Sequence, residues 1–210
     1  MDEYIFDHLG AENHVLSELY RHTHLKVLHP GMISGHEQGR LLSMISHLAQ
    51  PDVILEIGTY TGYSAICLAE GLRTGGHLHT IEVDDEITET AMAFFEKAGI
   101  SEKITLHVGD ALEIIPKLDL VFDLVFIDAA KKQYLDYYHA VFDKVKPGGY
   151  ILVDNILWYG KVVDTQAQDE TTVKLREFND FVRNDARVER AIIQNRDGMF
   201  VLRKKREKIC

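Results

Sequence analysis

The sequence predicts an α/β fold, a doubly wound, mostly parallel sheet that finishes in an antiparallel hairpin. Three observations predict it. Short β-type runs alternate with helical periods along most of the chain, several runs are apolar without strict alternation, and only a tight turn separates the last two runs. Alternation of strand and helix implies βαβ units. Runs apolar on both faces suit strands covered by helices on both sides.

The strand candidates, in order, are Val53–Ile57, His77–Val83, Ile104–Val108, Leu124–Asp128, Tyr150–Asp154, Val188–Gln194 and Met199–Arg203. Helical spacing joins Leu41, Leu42, Ile45, Leu48 and Ala49, then Ile87, Ala91, Phe94, Phe95 and Ala98, with Gly99 as a stop. A third helix carries Tyr134, Tyr138, Val141, Phe142 and Val145 and ends at Pro147-Gly148-Gly149; a fourth carries Leu175, Phe178, Phe181 and Val182. Asn195 to Gly198, with Asp197-Gly198 as the turn signal, predicts the closing hairpin. An N-terminal helix around Val15, Leu16 and Leu19 is either a core cap or an interface.

At 210 residues the chain suits one domain, residues 1–210. A composition of 46% hydrophobic and 27% charged residues is that of a globular protein, and no apolar run is long enough to span a membrane. The acidic start MDEYIFDHLG lacks the basic region of a signal peptide. Two cysteines, Cys67 and Cys210, make no disulfide framework and fit a reducing cytoplasm. A net charge of −10 argues against a nucleic-acid partner without excluding one, since Arg203 to Lys208 form a local basic tail.

In open α/β sheets ligands bind beyond the carboxyl ends of the strands. The first such end reads Glu56-Ile57-Gly58-Thr59-Tyr60-Thr61-Gly62-Tyr63-Ser64. Gly58 and Gly62 allow a tight turn and close approach of a ligand. The spacing is neither the dinucleotide fingerprint nor a P-loop, and no lysine is there to meet phosphates. A nucleoside cofactor without phosphates fits, and S-adenosylmethionine is one, with Glu56 serving its cationic amino-acid end. About 20 residues on, Glu82 closes the second strand, where an acid accepts hydrogen bonds from ribose hydroxyls. After the third strand, Asp110 either accepts from the adenine amino group or caps the next helix, and Ala111 offers its backbone.

The fourth and fifth strand candidates both end in an acid, Asp128 and Asp154, the latter followed by Asn155. Were these strands neighbours, three oxygen donors would converge at one sheet edge, a set for a hard cation. With no histidine among them, Mg²⁺ is expected ahead of Zn²⁺, and Ca²⁺ or Mn²⁺ stand behind it. Such an ion would bind two vicinal oxygens of a catechol and lower a hydroxyl pKa. Lys131, three residues after Asp128, is the candidate base; desolvated beside a cation, it would have a depressed pKa.

These residues resemble a known family, the cation-dependent class I O-methyltransferases that include catechol and caffeoyl-CoA O-methyltransferases. The resemblance runs from about Met32 to Arg203 and is carried by LEIGTYTGYSA, IEVD, FDLVFIDAAKKQY, GGYILVDNILWYG and RDGMFVLRK. It implies a seven-stranded Rossmann-like methyltransferase sheet, metal ligands at Asp128, Asp154 and Asn155, and a base at Lys131. It places Glu56, Gly58, Tyr60, Ser64 and Glu82 around S-adenosylmethionine, with Met32 and the backbone near Ser34 over its methionine part; Gly62, Val83, Asp110, Ala111 and Asp128 complete the expected cofactor set. Asp197 stands where relatives keep an acid near the substrate, and a homodimer is implied. Two departures stand out: Ala130 replaces an acid of the D-A-D-K pattern, and Ser34 replaces a threonine. No insertion for a CoA substrate is present.

The expected activity is therefore Mg-dependent methyl transfer to a small catechol-type phenol. A tRNA wobble 5-hydroxyuridine methyltransferase and a non-catalytic binding protein are the alternatives; Lys131-Lys132, Lys161 and the tail keep the RNA reading open. Trp158 and Tyr159 are expected to wall the substrate pocket. His22-x-His24 and His77-x-His79 read as packed or solvated histidines, and Cys67 as core.

Overall fold

The computed structural model describes residues 2–206. Cys210 and the last two residues of the basic tail, Glu207 and Lys208, lie outside the described residues.

Seven strands form one mixed sheet: β1 (Val53–Ile57), β2 (His77–Glu82), β3 (Ile104–Val108), β4 (Phe122–Ile127), β5 (Val145–Val153), β6 (Val188–Ile193) and β7 (Met199–Lys204). Their order is β3-β2-β1-β4-β5-β7-β6. β1 with β4, β2 with β3 and β4 with β5 run parallel, while β7 runs antiparallel to both β5 and β6. The strand order reverses between β1 and β4, the switch point at which such sheets hold ligands.

The chain comprises two compact units, Met1–Asp52 with Thr59–Gly109, and Val53–Gly58 with Asp110–Cys210. In the first, helices α1 (Asp2–His8), α2 (His14–Lys26), α3 (Gly35–Ala49), α4 (Tyr63–Ala69) and α5 (Asp85–Lys97) accompany β2 and β3. Asn13 and Asp84 cap α2 and α5 by accepting from Val15 and Glu86 N–H groups. Every residue of α4 is buried, which explains its lack of an amphipathic period. Val15, Leu16 and Leu19 are buried within the chain, so this stripe of α2 is core.

In the second unit α6 (Ala111–Ile114), α7 (Tyr134–Phe142) and α8 (Glu170–Asn184) accompany the remaining strands. Leu124–Ile127 and Ile151–Val153 are fully buried, as expected of strands covered on both faces. Tyr134, Tyr138 and Phe178 pack edge-on between α7 and α8.

Several strand ends shift by one or two residues from the sequence reading, and the largest difference lies at the start of β5. The third helix ends at Phe142, and Val145 opens β5, so Pro147-Gly148-Gly149 lies inside a strand. Phe122 pairs with Val145 and Leu124 with Tyr150, so β5 takes five steps where β4 takes two. The extra residues form a bulge that accommodates the proline and glycines. Among the described residues no helix is long and apolar enough to cross a membrane.

Candidate active site

The backbone ladder continues one residue past β4 and β5. Asp128 N–H donates to the Ile57 carbonyl at 2.9 Å, and Asp154 N–H donates to the Ile127 carbonyl at 3.0 Å. Asp128 and Asp154 therefore stand at the ends of neighbouring strands, roughly 4.8 Å apart in backbone spacing. Asn155 follows at φ 55°, a left-handed conformation that asparagine adopts more readily than most non-glycine residues.

Lys131 reaches back from the turn Lys131–Gln133, placing its Nζ 2.7 Å from Asp128 Oδ1, with both side chains less than one-fifth exposed. The same ammonium lies 5.5 Å from the centre of the Tyr134 ring. Tyr134 is fully buried and donates its hydroxyl hydrogen to the Asp154 carbonyl at 2.9 Å. Burial pushes that hydroxyl well above the usual tyrosine range; the negative fields of Asp128 and Asp154 push it further, with smaller effects from Tyr137 and Asp197. One buried phenol thus senses three carboxylates from β4, β5 and the β6–β7 turn.

Helical spacing alone identified Tyr134 as packing; its place three residues beyond Lys131 was the available signal for more. Asp197 accepts from the Tyr159 N–H at 2.6 Å, and its carbonyl accepts from Leu157 N–H at 3.0 Å. The segment after β5 is thereby stitched to the hairpin turn. Trp158 and Tyr159 both have positive φ, the Trp158 indole nitrogen is buried with no hydrogen-bond partner, and Tyr159 is exposed.

Two carboxylates and an amide are hard oxygen donors, and their chemistry fits a divalent cation such as Mg²⁺. No three His, Cys, Asp or Glu side chains are placed to hold an ion among the described residues. Asp128 and Asp154 supply two such side chains, and Asn155 adjoins the second in sequence.

The expected cofactor residues fall in both units. In the second, Gly58 sits at φ 100°, and a Cβ there would lie 2.2 Å from the Asp128 carbonyl oxygen, so the first loop passes the fourth strand end in backbone contact. Glu56 is fully buried within β1. Asp110 is exposed and caps α6 by accepting from Leu112 N–H at 2.8 Å, while Ala111 is buried. In the first unit, Glu82 accepts from the backbone N–H groups of Tyr60 (2.7 Å), Val83 (2.9 Å) and Asp84 (3.0 Å), which fixes its carboxylate. Tyr60 donates its hydroxyl hydrogen to the Leu28 carbonyl at 2.9 Å, and burial raises its pKa. Gly62 has φ 91°; Ser34 and Ser64 are buried, whereas Met32 and Val83 are exposed.

Of the lysines weighed for nucleic acid, Lys132 pairs with Glu170, and Lys161 lies 3.6 Å from Asp169. His22 packs against Phe94 and His24 bonds the Tyr20 carbonyl, so that pair shares no site.

Residues 7–205 match the model of the O-methyltransferase family. The catechol O-methyltransferase of Niastella koreensis is 31% identical, the alignment covering 92% of this chain and 89% of the relative. The caffeoyl-CoA O-methyltransferase of Populus kitakamiensis is 33% identical, covering 97% and 93%. The O-methyltransferase TomG from Streptomyces achromogenes, involved in tomaymycin synthesis and solved in complex with S-adenosylmethionine, superposes with a TM-score of 0.91 at 32% identity over 98% of this chain and 96% of that one. The chain belongs to the O-methyltransferase family, in its class I, S-adenosylmethionine-dependent group.

Proposed function

We propose that the whole chain acts as one catalytic domain that moves the methyl group of S-adenosylmethionine to a hydroxyl of a catechol-type phenol, with a divalent cation, Mg²⁺, at Asp128, Asp154 and Asn155. The observation that carries this reading is the convergence of Asp128, Lys131 and Asp154 on Tyr134. The similarity to catechol and caffeoyl-CoA O-methyltransferases supports the phenolic acceptor.

A cation held by Asp128, Asp154 and Asn155 would supply Lewis acidity that favours the ionised phenol. Lys131, as the neutral amine, takes the proton from the hydroxyl being methylated, and its ion pair with Asp128 must open first. Tyr134 fixes the Asp154 backbone and so the entry to Asn155. The methyl group leaves the sulfonium for the phenolic oxygen in one in-line displacement, and positioning supplies most of the acceleration. On the cofactor side, Glu82 accepts from the ribose hydroxyls, the buried Glu56 answers the cationic amino-acid end, and Gly58 and Gly62 give the turn its positive-φ path beside the nucleoside. Tyr60, Ser64, Val83, Ala111, Asp110, Met32 and Ser34 complete its surroundings. Trp158 and Tyr159 wall the acceptor.

Labelled S-adenosylmethionine offered with catechol, a caffeoyl-type phenol and 5-hydroxyuridine-containing tRNA tests the reading. Label in the two phenols supports it. Label in tRNA alone overturns it for the RNA alternative.

A further inference from the structure

Outside the catalytic cluster, the first unit gathers three histidines on one face of the β2–β3 ladder. Alternation puts His77 and His79 on the same side of β2, and the parallel register pairs His79 with Thr105 and Ile81 with His107, so His107 lies diagonal to His79 on that face. The His79 and His107 rings are near-parallel with centroids 5.4 Å apart, and a hydrogen bond of 3.1 Å joins His79 Nδ1 to His107 Nε2. His77 is held separately, its Nε2 2.8 Å from the Thr105 hydroxyl.

Each of the three is neither buried nor fully exposed. Partial burial, and after it the neighbouring histidines, lower the pKa of His79 to about 4; burial and His77 lower that of His107. Both rings are accordingly neutral at physiological pH, the state in which imidazole binds metals.

The nitrogen separation matches chelation. Two imidazole nitrogens each about 2.05 Å from one ion, at an angle of about 100° between them, stand about 3.1 Å apart. One of the two facing nitrogens already accepts; moving the donor ring's proton to its far nitrogen frees the second lone pair, at the expense of the hydrogen bond. Nitrogen donors and no acid at the contact select a borderline transition ion over Mg²⁺ or Ca²⁺.

We propose that His79 Nδ1 and His107 Nε2 form a two-histidine site for Cu²⁺, Ni²⁺ or Zn²⁺, with water completing the coordination, separate from the catalytic carboxylates. An ion there clips β3, the edge strand, to β2.

The test is titration of the untagged protein with Cu²⁺ in excess Mg²⁺, followed by electron paramagnetic resonance, and with Zn²⁺ by calorimetry and thermal melting. The expected result is one site with two nitrogen ligands and a melting temperature that rises with Zn²⁺. In His79→Asn and in His107→Asn, variants that retain hydrogen-bonding side chains, affinity falls about tenfold or more and the nitrogen signature is lost; His22→Asn changes neither. Should either ladder variant fail to fold, nitrogen-specific labelling of the wild-type histidines reads the same ligands by NMR with Zn²⁺. Unchanged binding in both variants, or no shift of the His79 and His107 resonances with Zn²⁺, overturns the site.

Discussion

Tyr134 donates a hydrogen bond to the backbone carbonyl of Asp154 at 2.9 Å, tying the first turn of α7 to the end of β5. Removing that hydroxyl leaves a carbonyl deep in the structure without its donor, at a cost of about 1–3 kcal/mol. Tyr134→Phe is expected to bind S-adenosylmethionine as the wild type does but to need about tenfold more Mg²⁺ for half-maximal turnover. Mg²⁺ titrations of the methyl-transfer rate check this; an unchanged Mg²⁺ requirement would show that Tyr134 is packing alone.

Lys131 and Asp154 are expected to fail in different ways. Lys131→Ala should lower kcat by about 10² or more, the usual scale of general-base loss, and alter the shape of the pH–rate profile. Asp154→Ala should abolish metal-dependent turnover while cofactor binding persists. Calorimetry with S-adenosylmethionine beside steady-state rates separates the two outcomes.

Gly58→Ala tests the close passage of the first loop along the fourth strand end. A Cβ at Gly58 meets the Asp128 carbonyl at 2.2 Å in a left-handed conformation, whereas one at Gly75, also left-handed, meets nothing within 4 Å. Gly75→Ala should cost about 1 kcal/mol from backbone strain alone. Gly58→Ala should cost several kcal/mol, about 3 or more, because the backbone itself must move. Urea denaturation of the two variants measures the difference.

Asp185 supplies a pH-dependent contribution to stability. Its buried carboxylate accepts from Arg187 Nη2 at 2.6 Å, from Arg187 Nε and from the Tyr138 hydroxyl, and the Arg187 contact, followed by its backbone N–H, holds the pKa down to about 2. A carboxylate with a folded pKa below its ordinary value stabilises above pH about 4, and the contribution fades as pH falls towards 2. Asp185→Asn should therefore cost about 2 kcal/mol at neutral pH and almost nothing near pH 2. Denaturation midpoints across that range report the sign.

The sheet was largely legible because its chemistry-bearing residues stand at the ends of apolar runs. Glu82, Asp128 and Asp154 each interrupt such a run, and Asp197-Gly198 marks the hairpin. What could not be read depends on contacts through space. Tyr134 has the spacing of a core position, and only folding brings it against Asp128, Asp154 and Asp197. Pro147-Gly148-Gly149 punctuates a helix by composition, yet a bulge lets a strand run through it. His107 carries no local signal at all; the β2–β3 register alone sets it beside His79, 28 residues away.

On the proposed mechanism an ion held at Asp128, Asp154 and Asn155 is required for methyl transfer. The measurement is transfer of labelled methyl to catechol by enzyme treated with EDTA, before and after Mg²⁺ is restored. Activity that vanishes with the chelator and returns with Mg²⁺ is the predicted result. Undiminished turnover in EDTA would contradict it and leave Lys131 and the cofactor to act without a metal.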